Sequence, residues 1–217
     1  MNTTLSFQKI LLAFLAFIGL LIAVRIFYTG NTLYLFLVWN IFLAWIPFAV
    51  SSVFNKLKGS AGWKQFLIFF CWLSFFPNGL YIVTDLIHLQ IESKVPKWFD
   101  AVLLFSASVA GLMLAFISLY RAEVYLNSSR FNKFRQAFIF IVLFLGSFGV
   151  YLGRFLRWNS WDIISNPFQL LLSIGHRIIS PFAHLQTWTV TGTLTIFFYL
   201  LYIAVKKMPG YLNRANI

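Results

Sequence analysis

Long apolar runs alternate with short charged segments along the chain. A helix needs about 20 mostly apolar residues to cross the hydrocarbon layer of a membrane. Six charge-free intervals reach or approach this length and predict six transmembrane helices, over residues 10–24, 26–55, 65–84, 101–120, 136–153 and 178–205. The first interval is the shortest, but Lys9 and Arg25 can extend their apolar stems and place their charges among the headgroups.

A seventh charge-free interval, residues 163–176, is too short to cross a membrane. We expect an amphipathic helix that lies in the membrane interface, because Pro167 fits a first helical turn, Ser165 or Asn166 can cap it, and Pro181 follows its end. One polar stripe on this helix is formed by Gln169, Ser173, His176 and Ser180.

The N-terminus has one feature of a signal peptide, a lysine ahead of an apolar stretch. The stretch continues into Val24-Arg25-Ile26-Phe27 without a small-x-small cleavage site. This pattern favours an uncleaved first transmembrane helix.

The composition supports a membrane protein, since 60% of the residues are hydrophobic and only 10% are charged. Soluble domains carry roughly a quarter of charged residues. A single cysteine, Cys71, excludes a disulfide-stapled module and a zinc-finger array. We therefore expect an all-α, multi-pass helical membrane protein in which residues 1–217 form one integral-membrane bundle without a soluble domain.

The formal net charge of +12 would suggest a nucleic-acid partner in a soluble chain. Here the cations lie in short clusters between hydrophobic segments, and no soluble domain presents a basic groove. We predict that the partners are the lipid bilayer and its anionic headgroups, with no nucleic acid. The sequence does not indicate a protein partner.

The distribution of Lys and Arg predicts the orientation, because these residues favour the cytoplasmic side of a membrane. With the N-terminus inside, the predicted inner cations are Lys9, Lys56, Lys58, Lys64, Arg121, Arg130, Lys133, Arg135, Lys206, Lys207 and Arg214. The predicted outer cations are Arg25, Lys94, Lys97, Arg154, Arg157 and Arg177. Both termini are therefore expected in the cytoplasm.

This orientation places most groups capable of chemistry on the outer side. They are Asp85, Glu92, Asp100, Asp162, His88, His176 and His184, whereas Glu123 is the one inner acid. If the protein has a functional site, we expect it to face outward.

The third predicted span contains Pro77, Asn78 and Gly79 within its apolar run. Proline lacks a backbone donor and clashes with the preceding turn, and Asn-Gly readily forms turns, so the helix should kink or break there. Such breaks line binding cavities in some transporters, which makes Asn78 and Tyr81 candidate ligand-binding residues. A structural kink repaired by neighbouring helices is the alternative.

After this break, α-helical spacing would place Tyr81, Thr84, Asp85 and His88 on one face. Asp85 and His88 are the candidate catalytic residues, since a carboxylate beside an imidazole can work as an acid–base pair. The same two groups could also form a structural hydrogen-bonded pair or supply two metal ligands. Two ligands do not define a metal site, so metal binding stays open.

Arg154 and Arg157 lie one turn apart at the end of the fifth span. They are candidate ligand-binding residues for a phosphate, and could instead pair with Asp85, Asp100 or Asp162. Headgroup anchoring beside Trp158 and Trp161 is the alternative. Three further candidate ligand-binding residues are Asn159, Asp162 and His176, and the spacing of Asn159 and Asp162 is also typical of a helix-start cap.

Asn40 is an amide within the apolar second span. An intramembrane asparagine seeks a partner across a helix interface, which favours a packing role. The chain has no phosphate loop, dinucleotide fingerprint or nucleophile elbow, so the sequence indicates no cofactor.

Three segments together resemble a prokaryotic integral-membrane family, domain of unknown function 1361. They are Trp39-Asn40 with Ala44 and Pro47, Phe76-Pro77-Asn78-Gly79-Leu80-Tyr81-Ile82-Val83-Thr84-Asp85-Leu86 with His88, and Gly153-Arg154-Phe155-Leu156-Arg157-Trp158-Asn159-Ser160-Trp161-Asp162. The resemblance implies a multi-pass protein of the bacterial plasma (inner) membrane, and it implies no activity, substrate or cofactor.

Three functions are consistent with this sequence. The first is an accessory or assembly protein whose outer polar cluster is structural, which we favour. The second is a membrane-embedded enzyme that acts from the outer face on a lipid or an envelope phosphate-containing substrate. The third is a carrier or substrate-binding subunit with a cavity at the Pro77 break.

Overall fold

The computed structural model describes residues 3–57, 59–90, 94–127 and 132–215. It is 90% helical, and no described residue forms a strand. Six helical stretches are long and apolar enough to cross a membrane: Gln8–Thr29, Leu33–Leu57, Gly62–Leu89, Lys97–Leu126, Arg135–Leu156 and Pro181–Arg214. These observations confirm an all-α, multi-pass membrane protein. Of the charged residues named above, Lys58, Glu92 and Arg130 lie outside the described residues.

In chain order the α-helices are α1 (Thr3–Thr29), α2 (Phe36–Ser51), α3 (Gly62–Phe75), α4 (Pro77–Tyr81), α5 (Lys97–Asn127), α6 (Arg135–Leu156), α7 (Asp162–Ser165), α8 (Pro167–Ile179) and α9 (Leu185–Ala215). Short 3₁₀ helices join them at Leu33–Leu35, Phe54–Leu57, Ile82–Gln90, Asn132–Phe134 and Pro181–His184.

The contacts divide the chain into two compact units, Met1–Ser118 and Leu119–Ile217. In the first unit, α2 packs against α3 and α4, and the apolar core is formed by buried residues from α1, α2, the Ile82–Gln90 helix and the first part of α5. In the second unit, α6 packs along α9. The single bundle that the sequence suggests stays a prediction.

The first helix does not end at Arg25, where the charge-free interval ends. Helix α1 continues to Thr29, and the chain then turns through Gly30, whose φ of 67° is readily adopted by glycine. The expectation that Arg25 places its charge among the headgroups was wrong, because its side chain is buried and ion-paired. A charge in an apolar run marks a helix end only when it has no partner inside the protein.

The third span is interrupted at Pro77, as its sequence predicted. Helix α3 ends at Phe75, and Pro77 occupies the first position of α4. Phe76 between them keeps helical backbone angles, φ −54° and ψ −40°, so the interruption lies in the pattern of backbone hydrogen bonds. Asn78 and Gly79 are themselves helical, so the expected Asn-Gly turn does not form. The break belongs to Phe76 and Pro77, since proline is favoured where a new helix begins.

Residues 167–179 form the short helix α8, close to the predicted interval. Asn166 precedes the helix at its cap position but makes no side-chain cap bond, and Pro167 lies in the first turn. Leu170 is buried, whereas the larger apolar residues Phe168, Leu171, Ile178 and Ile179 are exposed. The helix is therefore amphipathic, and its position in the membrane interface stays a prediction.

Candidate functional site

A buried ion pair joins α1 to the start of α5 in the first unit. Arg25 Nε donates to Asp100 Oδ1 at 2.8 Å, and Arg25 Nη2 donates to Asp100 Oδ2 at 3.3 Å. The two side chains are 3% and 4% exposed. A bidentate guanidinium–carboxylate pair is the geometry in which burial of two charges is best compensated.

Tyr34 lies beside this ion pair. The Arg25 guanidinium carbon is 4.1 Å from the centroid of the Tyr34 ring, a cation–π contact. The Tyr34 hydroxyl is 3.5 Å from Asp100 Oδ2 and 3.4 Å from the backbone oxygen of His88. Tyr34 therefore bridges the ion pair and the 3₁₀ helix that carries Asp85 and His88.

Asp85 is held by Asn40. The Asn40 amide nitrogen donates to Asp85 Oδ2 at 2.9 Å, and the Asp85 residue is 1% exposed. This contact confirms that the amide in the second span finds a partner on another helix. It also means that one of the two candidate catalytic groups is enclosed by protein.

His88 is half-buried and its ring packs on Phe36, with centroids 4.9 Å apart. Its Nδ1 atom lies 3.0 Å from the backbone oxygen of Asp85. A carbonyl oxygen only accepts, so Nδ1 carries a proton in this arrangement and Nε2 is the atom available as a base or ligand.

The 3₁₀ geometry changes which polar residues share a face. Three residues per turn align Ile82, Asp85 and His88 in one row, and Tyr81 and Thr84 in another. The expected α-helical face of Tyr81, Thr84, Asp85 and His88 was therefore wrong. The Thr84 hydroxyl donates to the Tyr81 backbone oxygen at 2.6 Å, so it contacts a residue of its own row and not Asp85 or His88.

We call Arg25, Tyr34, Asn40, Asp85, His88 and Asp100 the buried polar cluster. It links the ends of α1, α2 and α5 to the Ile82–Gln90 helix. Asp85 and His88 were candidates from the sequence alone. The involvement of Arg25 and Tyr34 was missed, because a flanking arginine and an interfacial tyrosine usually anchor to headgroups.

Side chains donate hydrogen bonds to two backbone oxygens that flank α4. The Asn78 amide donates to the Phe75 oxygen at 2.9 Å. The Ser108 hydroxyl of α5 lies 3.1 Å from the Ile82 oxygen, where the 3₁₀ helix begins. These contacts support the alternative in which neighbouring groups repair the kink. Whether Asn78 or Tyr81 also binds a ligand stays a prediction.

In the second unit, the helix that carries Arg154 ends in an unusual conformation. Arg157 is the one described non-glycine residue with a positive φ, at 60°, and forms the left-handed cap of α6. Glycine is the common residue at such caps because a β-carbon is disfavoured there. The Arg157 side chain is exposed.

Asp162 is not the partner of these arginines. Its Oδ2 accepts the Asn159 backbone N–H at 2.7 Å, and its Oδ1 accepts the Ser165 hydroxyl at 3.0 Å. The predicted Asn159–Asp162 cap is confirmed, and an Asp162 ion pair with Arg154 or Arg157 is absent from the described residues. The alternative pairing of the arginines with Asp85 joins the two units and stays a prediction.

Helix α8 is attached to the end of α6 through Ser173. The Trp158 indole N–H donates to Ser173 Oγ at 3.3 Å, and Arg177 Nη1 donates to the same oxygen at 3.0 Å and to the Ser173 backbone oxygen. Arg177 was treated only as an outer cation from the sequence. Its contacts could not be anticipated because they depend on how α8 folds against Trp158.

A second charged cluster surrounds Glu123, the one acid predicted on the inner side. Glu123 is 1% exposed and accepts the Tyr202 hydroxyl at 2.6 Å, and it also pairs with Lys206 and, at 3.4 Å, with Arg135. The sequence shows a single acid among many cations on the predicted inner side. This pattern predicts that Glu123 pairs with a cation, but it does not identify which one.

His176, an exposed candidate residue, lines a shallow depression together with Ile179, Ser180, Ala183 and His184. Among the described residues, no group of three or more His, Cys, Asp or Glu side chains is placed to hold a metal ion. Ligand binding by His176 stays a prediction.

No curated protein and no solved structure matches this chain. The family model described as "Protein of unknown function (DUF1361)" matches residues 39–202, a range that includes Asn40, Asp85, His88 and Asp100. Because this match covers well over half of the chain, the protein belongs to the DUF1361 family.

Proposed function

We propose that this protein is a non-catalytic accessory or assembly protein of the bacterial plasma membrane. In this function, the buried polar cluster fixes the ends of the membrane helices so that their outer surfaces can hold another membrane component. The enclosure of its charged groups carries the proposal.

Three charged residues of the cluster are almost fully removed from solvent: counted over the whole residue, Arg25 is 2% exposed, Asp85 1% and Asp100 3%. Each has a defined protein partner, and Arg25 and Asp100 use a bidentate geometry. General acid–base catalysis requires a group within reach of its substrate. An enclosed and paired carboxylate fits a structural role better than a role as the base in a reaction.

The close fit of α4 against α5 supports the same function. A β-carbon on Gly79 would lie 2.8 Å from the Ala115 β-carbon, and one on Gly111 would lie 2.8 Å from the Gly79 oxygen. A core packed this tightly does not deform continuously, so α4 and α5 hold a fixed position relative to each other. The helix break is thus well supported on the side that contacts α5.

A carrier with a cavity at the Pro77 break is the second candidate. The observation in its favour is the nine-residue 3₁₀ helix that follows α4 at Ile82–Gln90. Runs of this length are uncommon, and broken helices within membranes often contribute to substrate sites. In such a carrier, the half-buried His88 ring on this 3₁₀ helix would be a candidate contact for the transported solute.

Complementation of a deletion strain can distinguish these functions if folded abundance in the membrane is measured for every variant. Asp85→Asn keeps the size and hydrogen-bonding capacity of the side chain but removes its charge, and His88→Gln removes the base. For an accessory protein, both variants should complement as well as the natural chain at equal folded abundance.

Arg25→Ala provides the contrasting variant, because it leaves Asp100 buried without its cation. Breaking one side of a buried pair costs about 3 to 5 kcal/mol, whereas replacing both partners with apolar residues is often tolerated. Arg25→Ala should therefore lose folded protein and complementation together, and the double variant Arg25→Met with Asp100→Leu should recover both.

Loss of complementation by well-folded Asp85→Asn or His88→Gln would contradict the accessory function. If such a variant also lost uptake or release of a solute in whole cells, the carrier would be favoured. If it lost the modification of a lipid or envelope component, an enzyme would be favoured.

A further inference from the structure

We propose that the second unit binds a divalent transition-metal ion, of the zinc or copper type, between the imidazole rings of His176 and His184. Both residues line one depression at the end of α8. This inference does not depend on the proposed accessory function, because it concerns a different unit and different residues.

The chain turns twice between the two histidines. Helix α8 ends just before Ser180, and a 3₁₀ helix follows directly. The Ser180 backbone N–H donates to the His176 oxygen at 3.1 Å, and the Ala183 backbone N–H donates to the Ser180 oxygen at 3.2 Å. These consecutive turns fold the segment so that His176 and His184 border the same depression.

Both imidazole rings are accessible and are not held by other protein groups. His176 is exposed and His184 is half-buried. Neither ring has a hydrogen-bond or ion-pair partner within the part of the chain that the structure describes. By contrast, His88 Nδ1 lies 3.0 Å from the Asp85 backbone oxygen. The rings of His176 and His184 can therefore rotate toward a common ion without the loss of an existing contact.

The chemistry of the lining favours a transition metal over other ligands. Imidazole nitrogen binds zinc, copper and nickel, whereas Mg²⁺ and Ca²⁺ require oxygen ligands. No acid follows Asp162 in the sequence, and both of its carboxylate oxygens accept hydrogen bonds, from Asn159 and Ser165. The described residues that line the depression include no lysine or arginine, so the fixed positive charge that would hold an anion is lacking.

Two histidines fill only part of a coordination sphere. Structural zinc sites use four protein ligands, and catalytic zinc sites use three and keep one position open. The other positions at this site would be taken by water or a small external ligand, and the depression has room for them, with a volume of about 370 Å³. Such a site holds an exchangeable metal, which differs from a metal that the fold itself requires.

The test uses the full chain purified in detergent without a polyhistidine tag, in a Cys71→Ser background because a thiolate also binds zinc. Zn²⁺ is titrated by isothermal calorimetry at about pH 7.5, since neutral imidazole is the form that binds a metal. We expect one Zn²⁺ ion per chain. His176→Gln and His184→Gln should each weaken Zn²⁺ binding at least tenfold, because each variant removes one of the two protein ligands.

His88→Gln is the matched control, since it removes the third histidine of the chain and this histidine lies in the first unit. Its affinity for Zn²⁺ should equal that of the background chain. Mg²⁺ at millimolar concentration should not compete with Zn²⁺, because Mg²⁺ prefers oxygen ligands. An equal loss of affinity in His88→Gln, or an unchanged affinity in His176→Gln or His184→Gln, would overturn the proposal.

A spectroscopic measurement identifies the ligands even if His184→Gln disturbs the fold. The electron paramagnetic resonance spectrum of one equivalent of Cu²⁺ bound to the background chain should show coupling to two imidazole nitrogens. His176→Gln, which alters an exposed side chain, should leave coupling to one. A copper spectrum without nitrogen coupling, or the same coupling in His176→Gln as in the background chain, would also disprove the site.

Discussion

Gly79 of α4 and Gly111 of α5 approach each other so closely that neither residue has room for a β-carbon. A β-carbon on Gly79 would lie 3.0 Å from the Gly111 oxygen, and one on Gly111 would lie 2.8 Å from the Gly79 oxygen. The contact places the first turn of the Ile82–Gln90 helix against α5, where Ser108 reaches the Ile82 oxygen. The two glycines thus let α4 pack closely on α5 just before the 3₁₀ helix that carries Asp85 and His88.

Gly79→Ala should lower the stability of the first unit by about 1 to 3 kcal/mol, because its β-carbon would meet a backbone oxygen and another β-carbon, neither of which can move away easily. The midpoint of unfolding in SDS, titrated into the purified protein in mild detergent, measures this loss. Gly19→Ala is the matched control, since Gly19 is a helical glycine of the same unit with open space around it. Equal midpoints for the two variants would show that the close approach of Gly79 to Gly111 does not contribute to the stability of the first unit.

Much of this fold follows from the sequence because the membrane imposes simple rules. Length and hydropathy suffice to locate six spans, and the missing donor of Pro77 suffices to locate the break. The α-helical face expected around Asp85 was wrong because local spacing does not reveal that α5 packs against this segment and supports a 3₁₀ helix. Such geometry depends on contacts between residues that are far apart in the chain.

The cluster illustrates the same limit. The sequence predicts that Asn40 needs a partner. It does not identify that partner, because Asp85 lies 45 residues away along the chain. The pairing of Arg25 with Asp100 spans 75 residues and contradicts the rule that flanking arginines face the headgroups. A single sequence indicates which polar groups need partners, whereas the packing of the helices decides which partners they find.

Lys206→Met should destabilise the second unit by about 2 kcal/mol, since it leaves the buried Glu123 carboxylate without its closest cation. Lys207→Met removes the same charge from the adjacent exposed residue and should change stability by less than about 0.5 kcal/mol. Unfolding midpoints in SDS compare the pair directly. Similar losses for both variants would mean that net charge, and not the contact with Glu123, sets stability.

Arg157→Gly should stabilise the protein by about 1 kcal/mol, because glycine adopts the left-handed cap of α6 without the strain of a β-carbon. Arg157→Ala is the control, since it removes the same side chain but keeps the β-carbon, and it should give no gain. Thermal unfolding of both variants in the same detergent distinguishes them. An equal gain from alanine would attribute the effect to removal of the charge instead of relief of backbone strain.

The orientation of the chain can be tested by cysteine labelling, because Cys71 is the one cysteine in the sequence. In a Cys71→Ser background, single cysteines would be introduced as Lys64→Cys, Lys94→Cys and Arg214→Cys, all at exposed residues. The excess of cations predicted on one side places that side in the cytoplasm. A membrane-impermeant maleimide should therefore label Lys94→Cys in intact cells, and should label the other two variants only after the membrane is permeabilised. The reverse pattern would invert the topology and place Asp85 and His88 toward the cytoplasm, whereas labelling of all three variants in intact cells would contradict the six-span threading itself.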